Sequence, residues 1–187
     1  SLDVVHCSME RHYLLQLVSS AVGGSLLVLK MGWGVAVSDE VVTLVGRSCG
    51  DLNELEIRGA GKLTKESFAV LSRGCRRLQT LSITNAEVEE DSAWPAIQWE
   101  CLRSLDLTGC TGISGSELEA MGRSCSRLTS LNLSLCDEVD PKLLSNFFAR
   151  LSRSLTSLDI SRCAPLSDSI LTVLMRVGVR LERANLS

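Results

Sequence analysis

The chain has 187 residues, of which 45% are hydrophobic and 4% aromatic, and its formal net charge is -3. This charge gives no general attraction to nucleic acid or to a membrane surface. No stretch reaches the roughly 18 unbroken apolar residues of a membrane span, and the first residues lack the basic and apolar blocks of a signal peptide. We therefore expect an intracellular protein, cytoplasmic or organellar, that is neither secreted nor inserted in a membrane.

A nine-residue pattern recurs along the chain. It is LRSLDLTGC from Leu102, LTSLNLSLC from Leu128 and LTSLDISRC from Leu155, with looser copies from Leu52 and Leu78. From position 26 onward the first leucines lie at 26, 52, 78, 102, 128, 155 and 181, which differ by 26, 26, 24, 26, 27 and 26 residues. A fixed period of this length predicts a solenoid of stacked units. We predict one domain over residues 1–187, with about seven repeats that start near residues 1, 26, 52, 78, 102, 128 and 155 and a partial strand at 181–187.

The first two units each combine a strand with a helix. The first unit begins inside a strand and continues as a helix over about residues 8–21, which Gly23 and Gly24 are expected to end. In the second unit the spacing predicts a helix over 38–48, with Ser38 as a favourable N-cap and two acidic residues in the first turn.

The third and fourth units differ. Thr64 is predicted to open the third unit's helix, and Gly74 lies near its end. The fourth unit, over residues 87–99, is short and acidic and contains a proline, so we do not expect a full return helix there. Trp94 and Trp99 either pack into the space that such a helix would fill or form a partner-binding bulge.

The last three units are the most regular. Their helices are predicted to begin at Ser114 or Ser116, at Asp140 with Pro141 in the first helical position, and at Ser167 with Asp168. The sequence starts and ends within strands and carries no polar capping repeat. Because solenoids need closed ends for solubility, we expect these residues to belong to a longer chain or to be covered by a neighbour.

The cysteines fall into two sets with fixed places in the repeat. One set directly follows the strands, where other units have Gly34, Ala60 or Ala86: Cys7, Cys110, Cys136 and Cys163. The second set lies three residues before a repeat's first leucine: Cys49, Cys75 and Cys125. Alanine can serve neither as a metal ligand nor in a disulfide, so the pattern indicates buried free thiols.

The segment from Cys110 to Leu128, CTGISGSELEAMGRSCSRL, closely resembles the cysteine-containing class of leucine-rich repeats, and Cys163–Ile170 continues the pattern. The resemblance implies an α/β solenoid, a right-handed arc with a parallel concave sheet and convex helices. That class is known from F-box substrate receptors of cullin-type ubiquitin ligases, and related repeats occur in flagellar and other large assemblies. No stretch here looks like an F-box, which would have to lie outside this chain.

The resemblance implies a non-catalytic protein–protein interaction module. We expect either the substrate-recognition part of a ubiquitin ligase receptor or an architectural subunit of a large assembly, such as a flagellar or ribonucleoprotein complex. Where the family often has proline after the second cysteine, this chain has Gly50, Arg76 and Ser126, a difference that changes local turn stiffness.

Polar residues between the strand leucines are predicted to face outward on the concave side. The candidates for partner binding there are Glu54, Glu56, Arg58, Asp106, Asn132 and Asp159. Seven steps of about 4.8 Å give a shelf on the order of 34 Å long. Solvated strand positions are the alternative interpretation, and Trp33, just after the second strand, is either a packing residue or an aromatic anchor.

Arginines recur five residues before a repeat's first leucine. They are Arg47, Arg73, Arg123, Arg150 and Arg176. Each is expected at the C-terminal end of a helix, where a cation interacts favourably with the helix dipole and stabilises the helix by about 0.3–1 kcal/mol. Together they also make a basic edge that would suit an acidic protein or RNA phosphate.

Catalysis is not expected, and no cofactor or metal is predicted. The two histidines are in the first unit, where strand alternation sends His6 and Cys7 to opposite faces. Asp106 and Asp159 share a column, but Asn132 lies between them and their strands are about 9.6 Å apart. No phosphate-binding glycine loop or metal-ligand spacing occurs.

Overall fold

The computed structural model describes residues 1–5, 10–32, 37–89, 99–113, 115–136, 141–163, 168–177 and 180–187. The strands are β1 (Leu2–Val4), β2 (Val28–Gly32), β3 (Glu54–Arg58), β4 (Lys62–Leu63), β5 (Thr80–Thr84), β6 (Glu87–Val88), β7 (Ser104–Asp106), β8 (Ser130–Asn132), β9 (Ser157–Asp159) and β10 (Arg183–Asn185). The helices are α1 (Arg11–Ser19), α2 (Ala21–Gly24), α3 (Asp39–Ser48), α4 (Lys65–Gly74), α5 (Gly115–Gly122), α6 (Pro141–Leu151) and α7 (Asp168–Val177).

Eight of these strands form one parallel sheet in the order β1-β2-β3-β5-β7-β8-β9-β10, and β4 pairs with β6 in a separate ladder. Each strand of the main sheet neighbours the strand of the next repeat. Equivalent positions are aligned, so that Leu29 lies opposite Leu55 and Leu131 opposite Leu158. This arrangement confirms the predicted α/β class, with a parallel sheet whose strands are joined through helices.

The core lies between the sheet and the helices. Side chains alternate along each strand, as in β3, where Leu55 and Ile57 are fully buried between half-exposed neighbours. These residues share one apolar cluster with helix residues such as Val41 and Phe68. The other side of the main sheet carries the polar side chains of the strands, and we call it the sheet face.

Glycines let two neighbouring helices touch through their backbones. A Cβ on Gly74 of α4 would lie 1.5 Å from the carbonyl oxygen of Gly46 in α3. A Cβ on Gly46 would lie 2.7 Å from the Cα of Leu71. The glycine predicted near the end of α4 is therefore required by helix packing.

The described residues between α4 and α5 contain no helix, but most of the acidic, proline-containing segment, for which no return helix is predicted, is not among them. Residues 90–98, including Trp94, lie outside the described part of the chain. Trp99 is buried, and its ring packs edge to face against Phe68 of α4 with the ring centroids 6.3 Å apart. The packing interpretation is confirmed for Trp99, which gives α4 an aromatic neighbour from this unit.

The predicted end of the first helix was wrong. α1 ends at Ser19, and Gly23 and Gly24 lie in the separate short helix α2. The interruption falls at Ser20, because its hydroxyl and its amide both donate to the carbonyl of Leu17, at 2.6 and 3.3 Å. Gly23 has another role, since a Cβ there would lie 1.8 Å from the carbonyl oxygen of Val18.

Ser38 occupies the N-cap position of α3 as predicted, but its side chain does not cap the helix. Its hydroxyl is buried without a hydrogen-bond partner among the described residues. The carboxylate of Asp39 instead accepts from the amide and the hydroxyl of Thr64, at 2.7 and 2.8 Å. Thr64 caps α4 as predicted, accepting from the amide of Ser67. The starts of these two helices are thus tied together.

The remaining helix starts agree with the prediction. α6 begins at Pro141 and α7 at Asp168. α5 begins at Gly115, which favours Ser114 over Ser116 as the residue before the helix. Ser114 itself lies outside the described residues.

The turn after five of the strands contains one residue with a left-handed backbone. These residues directly precede the alanine or cysteine position and have φ between 54 and 66°: Gly59, Asn85, Gly109, Leu135 and Arg162. Glycine and asparagine adopt this conformation readily, whereas other residues do so at about 1–2 kcal/mol. Two turns in the second half of the array are therefore strained.

Candidate interaction surfaces

The sheet face carries the predicted central column of polar residues. Strand pairing aligns Asp3, Lys30, Glu56, Ser82, Asp106, Asn132, Asp159 and Asn185. The flanking column of Ser104, Ser130 and Ser157 is aligned in the same way. Six residues predicted as partner contacts therefore share one face, although they fall into two groups with different surroundings.

The first group is a compact ion network. The ammonium of Lys30 lies 2.7 Å from the carboxylate of Glu54 and 3.2 Å from that of Glu56. Arg58 pairs with Glu56 from the other side. The hydrogen bond to Glu54, followed by that to Glu56, raises the pKa of Lys30. The two acidic and two basic side chains neutralise one another, so this part of the face is not acidic.

The second group consists of Asp and Asn side chains that turn the backbone at the end of their own strands. In each, the side-chain oxygen accepts from the amide two residues further on. The bonds run from Val5 to Asp3 (3.1 Å), Thr108 to Asp106 (3.0 Å), Ser134 to Asn132 (3.0 Å), Ser161 to Asp159 (3.0 Å) and Ser187 to Asn185 (3.5 Å). These are Asx turns, in which a short polar side chain competes with the strand ladder for a backbone amide.

The length of each strand depends on whether its central-column residue forms an Asx turn. The five strands with Asp or Asn in the central column, β1, β7, β8, β9 and β10, have three residues each. The three strands with Lys30, Glu56 or Ser82 there, β2, β3 and β5, have five residues each. The structural role of three predicted partner contacts is therefore to hold the turn at the end of their own strand: Asp106, Asn132 and Asp159.

Hydroxyl groups complete the bonding of the two aspartates. Asp106 accepts from the hydroxyl of Thr108 at 2.6 Å and from that of Ser82 at 3.3 Å. Asp159 accepts from the hydroxyl of Ser161 at 2.6 Å and from the side-chain amide of Asn185 at 3.0 Å. Burial acts to raise the pKa of Asp159, but the hydrogen bonds from Ser161 and Asn185 outweigh it, and the pKa lies below its ordinary value. Both carboxylates are held in place before any partner arrives.

The thiols that follow the short strands bond to the preceding repeat. The sulfur of Cys110 donates to the carbonyl of Ile83 at 3.1 Å, Cys136 to that of Leu107 at 3.1 Å, and Cys163 to that of Leu133 at 2.9 Å. Ala60 and Ala86 follow the longer strands, whose pairing extends to Arg58 opposite Thr84. After an Asx turn, strand pairing does not reach this carbonyl of the preceding repeat. The thiol supplies the hydrogen bond that the carbonyl would otherwise lack.

A signal for this coupling is present in the sequence. An Asp or Asn stands four residues before each cysteine of this set, as in Asp106 and Cys110, whereas Lys30, Glu56 and Ser82 stand four residues before Gly34, Ala60 and Ala86. The prediction of buried free thiols did not include this link between the cysteine and the Asp or Asn before it.

The predicted burial of the thiols is confirmed where the structure describes them, and Cys7 lies outside the described residues. The buried free thiols are Cys49, Cys75, Cys110, Cys125, Cys136 and Cys163. Burial raises the pKa to about 11 for Cys49 and Cys110 and to about 12 for Cys75, Cys125 and Cys136. These groups are protonated near neutral pH and are poor nucleophiles.

The recurring arginines lie at or next to helix ends. Arg47, Arg73, Arg150 and Arg176 are in the last turns of their helices, and Arg123 directly follows α5. Arg73 lies 2.6 Å from Glu66 and Arg123 lies 3.7 Å from Glu119. Part of this column is therefore paired within its own helix.

A second set of arginines lies in the loops that directly precede strands of the main sheet. These are Arg76, Arg77, Arg103, Arg127, Arg153 and Arg180, all exposed. Together with the helix-end column they form what we call the arginine edge, which contains eleven of the 19 basic residues and no lysine. The loop arginines could have been found from the sequence, because each lies within two residues of a repeat's first leucine.

Other predicted site residues are only partly located. Trp33 and Trp94, the proposed aromatic anchors, and His6 all lie outside the described residues. Asp106 and Asp159 are separated by Asn132, as predicted. Among the described residues, no group of three or more His, Cys, Asp or Glu side chains is placed to hold a metal ion.

Comparison with known proteins agrees with this architecture. A family model described as Leucine Rich repeat matches residues 151–175, which include β9 and most of α7. Residues 151–175 are thus similar to a leucine-rich repeat, and the parallel sheet with one strand per repeat has the architecture of a leucine-rich repeat solenoid. The chain is 26% identical over 173 residues to the DNA repair protein rhp7 of Schizosaccharomyces pombe, an alignment that covers 88% of this chain. The chain spans about a third of that relative, since the alignment covers 31% of it.

Leucine-rich repeats typically act as non-catalytic interaction modules that bind through extended surfaces. Both surfaces described above, the sheet face and the arginine edge, are repeated structures of this kind. In the described part of the chain, no helix has the length and apolar character needed to cross a membrane.

Proposed function

We propose that this chain is a protein-recognition scaffold and that its sheet face is the substrate-binding surface of a cullin-type ubiquitin ligase receptor. The observation that carries the proposal is the sheet face itself, where aligned polar side chains are held by hydrogen bonds within the protein. Side chains that are already ordered lose little conformational freedom when a partner binds. The adaptor-binding F-box would be supplied by residues outside this chain.

The chemistry of the face suits an extended peptide segment. Ser104, Ser130 and Ser157 are small, so a partner backbone can approach the strands closely. The ordered carboxylates of Asp106 and Asp159 lie beside these serines and would attract basic side chains. A segment with basic residues spaced along the strand direction is the partner we expect.

A bulky charge in the middle of the sheet face tests this proposal. Ser130→Arg adds a long side chain at the centre of the flanking column, and Gln16→Arg adds the same charge on an exposed part of α1. Partners recovered with the full-length protein should be lost in Ser130→Arg and kept in Gln16→Arg. Retention of all partners in both variants would exclude the sheet face as the binding surface.

The identity of those partners separates two functions. Recovery of a cullin adaptor with a changing set of substrates supports the receptor. A fixed set of partners in constant proportion supports an architectural subunit, which is favoured by exposed apolar side chains on α7, where Leu171 is 44% and Met175 82% exposed. Both functions are intracellular. DNA repair complexes belong in the search because a relative is named as a DNA repair protein.

A further inference from the structure

Basic and acidic residues lie on different parts of the molecule, with the basic residues concentrated along the arginine edge. This edge follows the helix C-termini and the loops before the strands, where acidic residues are few: Asp51, Glu100 and Glu182. The helix starts and the turns after the strands carry acids instead, among them Asp39, Glu40, Glu66, Glu87 and Glu89. A chain with a net charge of -3 therefore presents one strongly basic border.

Within the edge, the helix-end and loop arginines differ. The negative end of a helix dipole lies at the C-terminus, and the helix-end arginines offset it. Arg103, Arg127, Arg153 and Arg180 lie instead in the loops that precede β7, β8, β9 and β10. Across the described ranges no carboxylate forms an ion pair with these four guanidinium groups. Their charges are available to an external anion.

The backbone at Arg103 is fixed to its neighbours on both sides. Its amide donates to the carbonyl of Gln79 at 2.8 Å, and its carbonyl accepts from the amides of Thr129 and Ser130 at 2.8 and 2.9 Å. The four loops accompany β7 to β10, consecutive strands of the sheet. Arg103 follows the first leucine of its repeat, whereas Arg127, Arg153 and Arg180 precede theirs by one or two residues. The four arginines therefore form a staggered row, which spans three strand steps of about 4.8 Å, or roughly 14 Å, across the sheet.

The chemistry of the row favours a phosphate backbone over an acidic protein. A duplex carries about one charge per 1.7 Å, hence about eight charges along 14 Å. Guanidinium groups bind phosphate oxygens in a bidentate manner, and the serines between the arginines, such as Ser126 and Ser154, suit backbone contacts. Protein interfaces draw their affinity from buried apolar or aromatic anchors, and the described residues of these loops expose none.

We propose that Arg103, Arg127, Arg153 and Arg180 bind the sugar–phosphate backbone of duplex DNA without sequence preference. Single strands are disfavoured because their binding uses stacked aromatic side chains, and the described part of this row has none exposed. The row lies at the border of the sheet, so DNA there would leave the sheet face free. The inference is independent of the proposed protein partner.

Fluorescence anisotropy with a labelled duplex of arbitrary sequence, about 20 base pairs long, tests the proposal on the chain as it stands. The edge variant changes all four loop arginines to glutamine. The matched control removes the same charge elsewhere, through Arg11→Gln, Lys62→Gln, Lys142→Gln and Arg162→Gln. Urea denaturation must first show that both variants are folded and unfold at a measurable midpoint.

We expect the edge variant to lose at least tenfold in affinity at about 50 mM salt. Its slope of log affinity against log salt should fall in magnitude by about 3 to 4, since each phosphate contact contributes about 0.9. The control should stay within about threefold of the unaltered chain. Equal losses in both variants would overturn the site, because only net charge would then matter.

Three further outcomes would also overturn the proposal. One is the absence of duplex binding by the unaltered chain up to about 100 µM, since even non-specific binding falls within that range. Another is binding of duplex RNA at least tenfold tighter than DNA. The third is displacement of DNA by poly-glutamate at equal negative charge, with the same dependence on the four arginines, which would assign the edge to an acidic protein.

Discussion

The coupling between Asx turn and thiol can be tested by converting the repeat around β7 into the kind found around β5. Asp106→Ser and Cys110→Ala copy Ser82 and Ala86, which occupy the same positions one repeat earlier. Each change alone leaves one backbone group without its partner. Asp106→Ser frees the amide of Thr108, and Cys110→Ala frees the carbonyl of Ile83.

The two freed groups are the amide and carbonyl that extended pairing of β5 with β7 would join. Losing a hydrogen bond to a carboxylate costs about 1.5–3 kcal/mol, and leaving a buried polar group unpaired costs about 1–3 kcal/mol. In the double variant β7 can lengthen from three residues to five, as β5 already has. We therefore expect the double variant to be about 1–2 kcal/mol more stable than the sum of the single changes predicts.

Urea denaturation under reducing conditions, followed by circular dichroism and by tryptophan fluorescence, gives the four free energies of this cycle. Agreement between the two probes is needed because repeat arrays can depart from two-state unfolding. Asp106→Ser combined with Cys125→Ala is the control, since that thiol lies after α5 and has no part in the turn. Additivity within about 0.3 kcal/mol for Asp106 with Cys110 would refute the coupling.

Three further predictions concern packing, strain and ionisation. Gly74→Ala should destabilise the protein by about 3 kcal/mol or prevent folding, because its Cβ would overlap the backbone of Gly46; Gly50→Ala, whose Cβ has its nearest neighbour at 3.9 Å, should change the urea midpoint little. Arg162→Asn should raise stability by about 0.5–1 kcal/mol by relieving the left-handed backbone, and an unchanged or lower midpoint would argue against strain there. In native protein, a thiol reagent should modify the half-buried Cys101 quickly and the buried thiols only on unfolding, whereas rapid reaction of several thiols would contradict their burial. Because burial raises the thiol pKa to about 11 or 12, unfolded thiols ionise from about pH 9 while folded ones stay protonated. The free energy of unfolding should then fall as pH rises above 9, by about 1.4 kcal/mol per pH unit for each of these thiols. Cys125→Ala, which removes one of them, should make this slope smaller by about 1.4 kcal/mol per pH unit.

The sequence determined most of the fold because the repeat period and the strand pattern are properties of the chain itself. Alternation of leucine with polar residues fixes which side chains enter the core, and one strand per repeat fixes the parallel sheet. The central column from Lys30 to Asp159 was therefore predictable residue by residue. The prediction that no return helix forms before Trp99 likewise rests on local chemistry, since proline and clustered acids disfavour a helix.

The tertiary structure decided how those side chains are used. Whether Asp39 caps its own helix or bonds to Thr64 depends on a residue 25 positions away. Lys30 neutralises Glu54 and Glu56 only because strand pairing sets these residues side by side. Asp106 and Asp159, predicted as partner contacts, also hold the turns that follow their own strands. Hydrogen bonds and ion pairs form between neighbours in space, and the sequence period gives their alignment but not which of several partners each polar group takes.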